Sequence, residues 1–292
     1  MDFGNFMHEL RLRSPRPSMT SAALHVETTR QVIDRLEQGS PTKLVTLHIN
    51  GLLDFYAADP EARAQALRLW AEVQEQDKTA RAQGNSKGFW KAYSDQVAPN
   101  FEKFLRLEGA ADEIVAYQPT LVPGLLQLPD YRRAITHISE PDLSPVDVER
   151  LLELTRKRQV RLNDNNFRLI AFLSEAALRH KPASPAVMAA QLRWLGEVGE
   201  RENVDLHVIP FSSGPHLGMT MQTFTLLRFP KGASGLSLPQ IVYAEGAIGS
   251  TFHEHNEEVG QYRKAVASLR TVALTQAATR DLVLTVAKEY AA

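Results

Sequence analysis

The first 83 residues place apolar side chains at helical spacing, interrupted at short intervals by proline and glycine. A first apolar stretch ends at Pro15 and Pro17, since proline cannot continue a helix. Residues 44–56 repeat leucine and aromatic side chains three or four positions apart, which is typical of an amphipathic helix. Asp59-Pro60-Glu61 combines a cap, a proline at the first helical position and an acidic first turn. The pattern predicts an N-terminal domain of five helices.

Two short helices joined by a tight turn are predicted within residues 18–39. Ser18 is positioned to cap the first helix, and Thr28 or Thr29 the second. Gly39 is positioned to end the second helix in the left-handed conformation. The second helix has one apolar side and a polar outer face. This is the shape of a helix-turn-helix, whose second helix fits the DNA major groove, and it predicts DNA binding.

The rest of the chain mixes strand-like and helix-like segments. The predicted strands are residues 114–117, 167–173, 204–211, 222–228 and 240–245. The predicted helices are residues 144–162, 175–180, 186–202, 257–270 and 275–290. Pro123-Gly124 predicts a type II turn. The predicted fold class is therefore α+β, with an all-α five-helix helix-turn-helix domain over residues 1–83 and a mixed α+β domain over residues 84–292.

Composition places the chain among ordinary globular proteins. Of its 292 residues, 43% are hydrophobic and 23% are charged, and none is cysteine. A disulfide framework, a thiolate metal site and a cysteine nucleophile are therefore excluded. The N-terminus has no apolar run typical of a signal peptide, and no stretch approaches a membrane span. We expect a cytoplasmic protein that does not associate with membranes.

The charge distribution changes the expected mode of DNA binding. The net charge is -1, and residues 1–43 contain six basic and five acidic residues. Because phosphate contacts need positive charge, a single module of this kind predicts modest affinity. We therefore expect a homodimer on paired half-sites. Its expected surfaces are residues 204–245 and the last two helices, since the final helix carries more apolar side chains than one buried stripe requires.

Several motifs resemble one family of regulators. Arg35-Leu36-Glu37-Gln38-Gly39 resembles the Arg-Ile-Glu-x-Gly signature that ends the recognition helix of Xre-type (Cro/repressor-like) regulators. Further stretches resemble the C-terminal domain of their actinobacterial Scr/WhiJ-type antitoxin-like subgroup: 89–95, 121–127 with Tyr131, 158–162, 175–179, 191–195, 208–211 and 242–245. The resemblance implies a DNA-binding transcriptional regulator, often acting beside a small partner protein encoded by a neighbouring gene, with a C-terminal domain of unsettled role.

Three positions depart from the family pattern. The turn of the helix-turn-helix usually carries glycine, where this chain has Glu27. A serine is common where Asp34 stands, and a basic residue is frequent where Val32 stands. Glu27 and Asp34 would lie on or near the surface that faces phosphates, where a negative charge opposes binding.

The candidate DNA-binding residues are those that the second helix and its cap present outward. They are Thr28, Thr29, Arg30, Gln31, Asp34, Arg35 and Gln38. Glutamine pairs with adenine and arginine with guanine, and an aspartate accepts from a cytosine amino group. The alternative is a solvated polar face with an Arg30–Asp34 helix pair.

A second candidate set lies in the C-terminal domain. Arg158 and Arg161 belong to a basic cluster on one predicted helix and match the family series. They would form salt bridges with Glu175 or Glu245, or bind an acidic ligand. Tyr243 is included as a ligand or partner contact, although aromatic side chains mostly serve packing.

No metal, cofactor or catalytic motif stands out. His253-Glu254-His255 supplies two histidines without an indicated third ligand, so a surface loop or strand edge is the preferred interpretation. The chain has no phosphate-binding glycine loop and no nucleophile elbow. We expect a protein that is not an enzyme and needs no cofactor.

Three functional hypotheses follow. The favoured one is a sequence-specific DNA-binding regulator, whose C-terminal domain serves dimerisation and the sensing of a partner or ligand. The main alternative is an antitoxin-like protein-interaction module with weakened DNA binding. A more distant one is a small-molecule receptor whose ligand controls the first function. Salt dependence separates the first two, since phosphate neutralisation gives a steep salt slope.

Overall fold

The computed structural model describes residues 1–82, 93, 99–246 and 249–291. They fall into two compact units: unit 1 within Met1–Gly88 and Phe229–Pro239, and unit 2 within Phe89–Arg228 and Gln240–Ala292. The α+β fold class is confirmed. The predicted division between residues 83 and 84 lies outside the described residues. The sequence did not predict that residues 229–239 belong to unit 1.

Unit 1 contains the predicted helices. They are α1 (Asp2–Arg13), α2 (Met19–His25), α3 (Arg30–Glu37), α4 (Thr46–Phe55) and α5 (Pro60–Ala82). Their ends follow from local chemistry. The Ser18 hydroxyl accepts a hydrogen bond from the backbone of Ser21 at 3.2 Å, and Asp59 accepts one from the backbone of Ala62 at 2.8 Å. Thr29 holds the N-cap position of α3, but its side chain makes no capping hydrogen bond.

The core of unit 1 is formed where these helices meet. Ile33 is fully buried and Leu36 is 4% exposed, so the apolar side of α3 faces this core. Val32 is partly buried and packs against the same cluster. This explains an apolar residue where the family pattern favours a basic one. Gly39 has a φ of +63° and ends α3 in the left-handed conformation, as predicted.

Residues 229–239 pack with the N-terminal helix of unit 1. The carboxylate of Asp2 accepts hydrogen bonds from the backbone of Ser234, at 2.9 Å, and from its hydroxyl. The side-chain amide of Asn5 donates to the carbonyl of Ser237 at 3.3 Å, and Leu236 packs against the apolar core. The segment is therefore an integral part of unit 1, although it comes late in the sequence.

Unit 2 is built on a six-stranded mixed sheet. Its strands are β1 (Glu113–Gln118), β2 (Arg168–Ser174), β3 (Val204–Ile209), β4 (Phe224–Arg228), β5 (Ile241–Gly246) and β6 (Gly249–His253). Their order is β3-β2-β1-β4-β5-β6. The first three strands run parallel, and the pairs β1–β4, β4–β5 and β5–β6 are antiparallel. The five predicted strands are present, and β6 adds an edge strand that contains His253.

Seven helices are described in unit 2. They are α6 (Pro99–Ala110), α7 (Pro129–Ser139), α8 (Pro145–Gln159), α9 (Glu175–Arg179), α10 (Pro185–Val198), α11 (Asn256–Val272) and α12 (Gln276–Ala291). The sequence reading missed α6 and α7. Both begin at a proline, which tolerates the first helical turn because its missing N–H is not needed there. No helix of the described residues is long and apolar enough to cross a bilayer.

The two faces of the sheet pack differently, because successive strand side chains point to opposite sides. Val115 and Tyr117 of β1 join a buried cluster that includes Val259 and Leu269 of α11. The alternate residue Ala116 lines a cavity on the other side of the sheet. Helix α11 therefore covers one face, and the cavity lies on the face opposite to it.

The sequence interpretation of Pro123-Gly124 is corrected by packing. Pro123-Gly124 is not a type II turn, because Gly124 does not have a positive φ and begins a short 3-10 turn instead. A Cβ atom at Gly124 would lie 3.1 Å from the guanidinium of Arg158, so close approach and not backbone conformation favours glycine here. The apolar side chains of α12 have different degrees of burial. Val283 and Val286 are buried within unit 2, and Leu282 and Leu284 are half-buried. Part of the apolar excess of this helix therefore serves the core of unit 2, and a dimer surface on it stays a prediction.

Candidate nucleic-acid interface and ligand cavity

Helix α3 is held against α1 by a buried ion pair. The guanidinium of Arg11 donates to both carboxylate oxygens of Glu37, with Nε–Oε1 at 2.6 Å and Nη2–Oε2 at 2.7 Å. A third Arg11 nitrogen donates to the carbonyl of Pro17 at 2.7 Å. His8 Nδ1 lies 2.7 Å from Glu37 Oε2. The glutamate of the Arg35–Gly39 signature thus anchors the second helix of the helix-turn-helix to the first helix of the unit.

The same contacts shift two pKa values. Burial raises the pKa of Glu37, but the hydrogen bonds from Arg11 and His8 outweigh it and leave the pKa below its ordinary value of 4.5. The hydrogen bond to Glu37 raises the pKa of His8 above 6.5. Both shifts favour the charged forms of the two groups. No sequence pattern joins Arg11 to Glu37, since 26 positions separate them.

The outer face of α3 carries most of the predicted DNA-binding residues in exposed positions. Thr29, Arg30, Gln31, Arg35 and Gln38 are exposed, and Thr28 and Asp34 are half-buried. The side chains of Arg30 and Arg35 make no ion pair within the described part of the chain. The structure thus brings the seven predicted residues to one helix and its cap, with two guanidinium groups available on the outer side.

Asp34 has a different partner from the one considered in the sequence. Its carboxylate accepts a hydrogen bond from the Gln38 side-chain amide at 3.0 Å, and an Arg30–Asp34 pair is not formed in the described residues. Glu27 is exposed and has a φ of +53°, the left-handed conformation that glycine adopts without strain. The turn therefore keeps the geometry that glycine usually provides.

The second candidate site is a cavity in unit 2 with a volume of about 220 Å³. Its floor is the sheet face opposite to α11, and α6, α7, α8 and the segment between β1 and α7 supply the other walls. The polar side chains that line it are Glu108, Gln118, Gln127, Arg132, Arg158, Thr225, Tyr243 and Glu245. Small-molecule sites usually combine apolar walls with a few polar groups, and this cavity has more polar lining than is usual.

Arg158 and Glu108 form the buried ion pair of this cavity. Arg158 Nε and Nη2 each donate to a different carboxylate oxygen of Glu108 at 2.8 Å. Burial alone would lower the pKa of Arg158, but the charge and hydrogen bonds of Glu108 outweigh it and leave the pKa raised. The predicted salt bridge from Arg158 to Glu175 or Glu245 is therefore wrong, because Glu108 on α6 accepts the hydrogen bonds from Nε and Nη2 of Arg158.

Two residues that line the cavity have a buried polar atom without a partner among the residues that the structure describes. Arg132 Nε on α7 is buried and has no hydrogen-bond acceptor among the described residues. Gln127 donates from its amide nitrogen to the carbonyl of Val122 at 2.7 Å, whereas its buried Oε1 has no donor. Buried polar atoms without partners are uncommon in proteins. Neither residue was predicted from the sequence as a ligand contact. Gln127 lies in the stretch 121–127 that resembles the family, which is a signal that could have found it, whereas Arg132 is one of two adjacent arginines that the sequence does not distinguish.

Tyr243 and Glu245, both predicted, also line the cavity. Tyr243 is buried and stacks on Phe104 with ring centroids 4.3 Å apart. Burial raises the pKa of Tyr243 to about 12. Glu245 is exposed. Three of the five predicted ligand residues thus meet at one cavity, namely Arg158, Tyr243 and Glu245.

Arg161 and Glu175 are not among the residues that line the cavity. Arg161 donates to the carbonyls of Glu108 and Ala111, where it holds the end of α6. Glu175 accepts from Arg179 at 2.7 Å and from the backbone of Phe211 at 2.9 Å. Both predicted residues therefore have structural partners in place of a shared ligand role.

The histidine motif is engaged by its neighbours. His253 Nδ1 lies 3.0 Å from a carboxylate oxygen of Glu258, and its Nε2 lies 3.2 Å from the hydroxyl of Tyr262. His255 occupies the N-cap position of α11. Within the described ranges, no three potential metal ligands are grouped together.

Fold and site define a two-unit α+β protein, with a helix-turn-helix in the smaller unit and a lined cavity in the larger one. The family described as Domain of unknown function (DUF5753) matches residues 101–285, which is more than half of the chain. The chain therefore belongs to this family. No curated protein and no solved structure matches the chain.

Proposed function

We propose that the chain is a cytoplasmic, sequence-specific DNA-binding transcriptional regulator that is not an enzyme. One observation carries the proposal: α3 presents Arg30, Gln31 and Arg35 outward, while its opposite side is fixed by the core and by the Arg11–Glu37 pair. A rigid helix with donors on its outer face is what direct readout in the major groove requires. Unit 2 serves dimerisation and the sensing of a ligand or partner.

The test begins with genomic mapping of the sites that the tagged full-length protein occupies. Fluorescence anisotropy on the recovered duplex then compares the wild type with Arg35→Ala and Gln31→Ala. Each change should weaken binding by about 1–3 kcal/mol if the side chain contacts a base. Arg68→Ala on α5 is the matched control, because it removes an exposed positive charge outside α3. Unchanged affinity in both α3 variants would remove this helix as the reader.

The alternative function, an antitoxin-like protein-interaction module, is favoured by the acidic residues of the same surface. Glu27 is exposed, and Asp34 lies on α3 beside the proposed reading side chains. If their negative charges repel the DNA phosphates, Glu27→Gly and Asp34→Ser should raise the affinity for DNA and steepen its salt dependence. A wild-type protein whose binding to duplex DNA shows no salt slope would favour the interaction module, with a small partner protein encoded nearby as its target.

Dimerisation is part of the proposal because the DNA-reading surface is weakly charged. Residues 1–43 carry a net charge of +1. A dimer places two copies of α3 on half-sites one helical turn apart, so the binding of the first copy raises the effective concentration of the second. Sedimentation velocity of the full chain at micromolar concentration should show a dimer. A strict monomer that binds a two-fold symmetric site tightly would contradict it and would place the dimer contact on the DNA.

A further inference from the structure

As far as the described residues show, the cavity of unit 2 combines a donor without an acceptor, an acceptor without a donor and an apolar wall. We propose that it binds a small organic acid that also carries an O–H or N–H donor. The carboxylate would bind Arg132 and the donor would bind Gln127. The inference deepens the proposed function, since it rests on unit 2 being the sensing part, but binding itself is measured without DNA.

The requirement for an anion comes from Arg132. Its Nε is buried and has no acceptor in the part of the chain that the structure describes. The neighbouring Arg158 donates from Nε and Nη2 to Glu108. Burial, and then the positive charge of Arg158, lower the pKa of Arg132 to about 10. A guanidinium in this position is stabilised by a carboxylate more than by water, because charge-assisted hydrogen bonds strengthen where solvent is excluded.

Glu245 does not satisfy this requirement within the described residues. It lines the same cavity, but it is exposed and makes no ion pair with Arg132 there. Its charge is therefore screened by solvent more than the charge of a ligand inside would be. The negative charge of Glu245 offsets only part of the lowering of the Arg132 pKa, and an incoming carboxylate replaces no salt bridge of Arg132 formed within the described residues.

The requirement for a donor comes from Gln127. Its amide nitrogen is held by the carbonyl of Val122 at 2.7 Å, which fixes the orientation of the side chain. The Oε1 atom is buried and accepts no hydrogen bond in the described residues. A ligand O–H or N–H group is the complement of that atom, and a purely apolar acid would leave it unsatisfied.

Size and wall chemistry define the rest of the ligand. A volume of 220 Å³ equals about seven waters at roughly 30 Å³ each. The apolar wall includes the rings of Phe101 and Phe104, with centroids 5.6 Å apart, and Ile135 of α7. An acid with one aromatic ring fits these limits, since the ring packs on the aromatic wall and leaves its polar ends for Arg132 and Gln127.

The experiment measures binding to the full chain by isothermal titration calorimetry and thermal shift. The probes are para-hydroxyphenylacetate and indoleacetate, the primary amide of each, and phenylacetate, which lacks the donor. At least one of the donor-bearing acids should bind about tenfold or more tightly than its amide. It should also bind more tightly than phenylacetate. Equal binding of acid and amide, or no binding of either acid at millimolar concentration, would overturn the proposal.

Variants assign the contacts. Arg132→Met should abolish the preference for acid over amide, whereas Arg133→Met is the matched control on the same helix, since Arg133 is engaged by Asp130 and Glu149 at the surface. Gln127→Met should remove the preference for the donor-bearing acid over phenylacetate. This second variant tests a contact that does not involve Arg132. Retention of both preferences in the two cavity variants would overturn the assignment. A wild-type protein that binds the acid but binds no DNA would contradict only the proposed regulator function.

Discussion

The two units each bury one bidentate arginine–glutamate pair, and the surroundings of the two pairs differ. In unit 1, Arg11 also donates to the carbonyl of Pro17, and Glu37 also contacts His8, so both partners are held from several sides. In unit 2, Arg158 and Glu108 lie in the wall of a cavity beside Arg132, whose Nε has no acceptor in the described residues. The same chemistry fixes a helix in one unit and lines a site in the other.

The groups around a buried ion pair decide whether the pair fixes a helix or leaves polar atoms open to a ligand. A buried ion pair contributes little by itself, because desolvation offsets the attraction, and its loss is costly when one partner stays behind unpaired. In unit 1 the closed network favours one position of α3, the helix proposed to read DNA. In unit 2 the network is open, because Arg132 Nε and Gln127 Oε1 have no partner in the described residues. These atoms are available to a ligand. Three substitutions test the two networks, and a fourth tests the turn that precedes α3.

The largest effect is expected from Glu37→Ala. It leaves the buried Arg11 without its partner, so unit 1 should lose about 3–5 kcal/mol of stability. Hydrogen exchange measured by mass spectrometry on peptides of each unit locates the loss. The double change Arg11→Met with Glu37→Met should cost much less, since no charge remains buried. A single variant as stable as the wild type would contradict a closed network.

Glu108→Ala in unit 2 should cost less, about 1–3 kcal/mol. Arg158 loses the same number of hydrogen bonds as Arg11 does, but its guanidinium also lies over the rings of Phe101 and Phe104, at 5.5 and 5.7 Å from the ring centroids, and these contacts remain. The same exchange measurement on peptides of α8 and β1 gives the value. A loss equal to or larger than that of Glu37→Ala would show that the two rings do not compensate the charge.

Glu27→Gly should stabilise unit 1 by about 0.5–1 kcal/mol. The left-handed φ of Glu27 strains a side chain other than glycine, and part of the gain is offset by the greater flexibility of glycine in the unfolded chain. Ala57→Gly is the matched control, because Ala57 also has a φ of +53° but carries no charge. Only Glu27→Gly should change DNA affinity. If both variants change the DNA affinity equally, backbone strain and not the charge of Glu27 causes the change.

The smallest effect is expected from His8→Gln, and it depends on pH. Because the pKa of His8 is raised in the folded state, its contribution is present below its ordinary pKa of 6.5 and is lost as the pH rises through the folded value. Glu37 acts in the opposite sense, since its lowered pKa makes its contribution fall as the pH drops below 4.5. The wild type and the variant should therefore differ in exchange of unit 1 peptides between these limits and converge at alkaline pH. A constant difference would exclude protonated His8 from the network.

The sequence by itself determined the features that depend on near neighbours. Ser18, Asp59 and Gly39 begin or end helices through contacts within a few residues, and the structure has these helix ends where the pattern predicted them. Short, largely apolar segments likewise predicted five strands of unit 2. Such features follow from local geometry, which a sequence displays directly. They were sufficient to predict the helix-turn-helix and its exposed face.

Only the tertiary structure decided the partners of the buried charges. Glu108 meets Arg158 across 50 positions, and Ser234 meets Asp2 across 232, so neither contact leaves a periodic trace in the sequence. The cavity exists because α6, α7 and α8 cover one sheet face without filling it, and Arg132 becomes important only because it lies there. A burial energy depends on what surrounds a group in space, and one sequence does not display those surroundings.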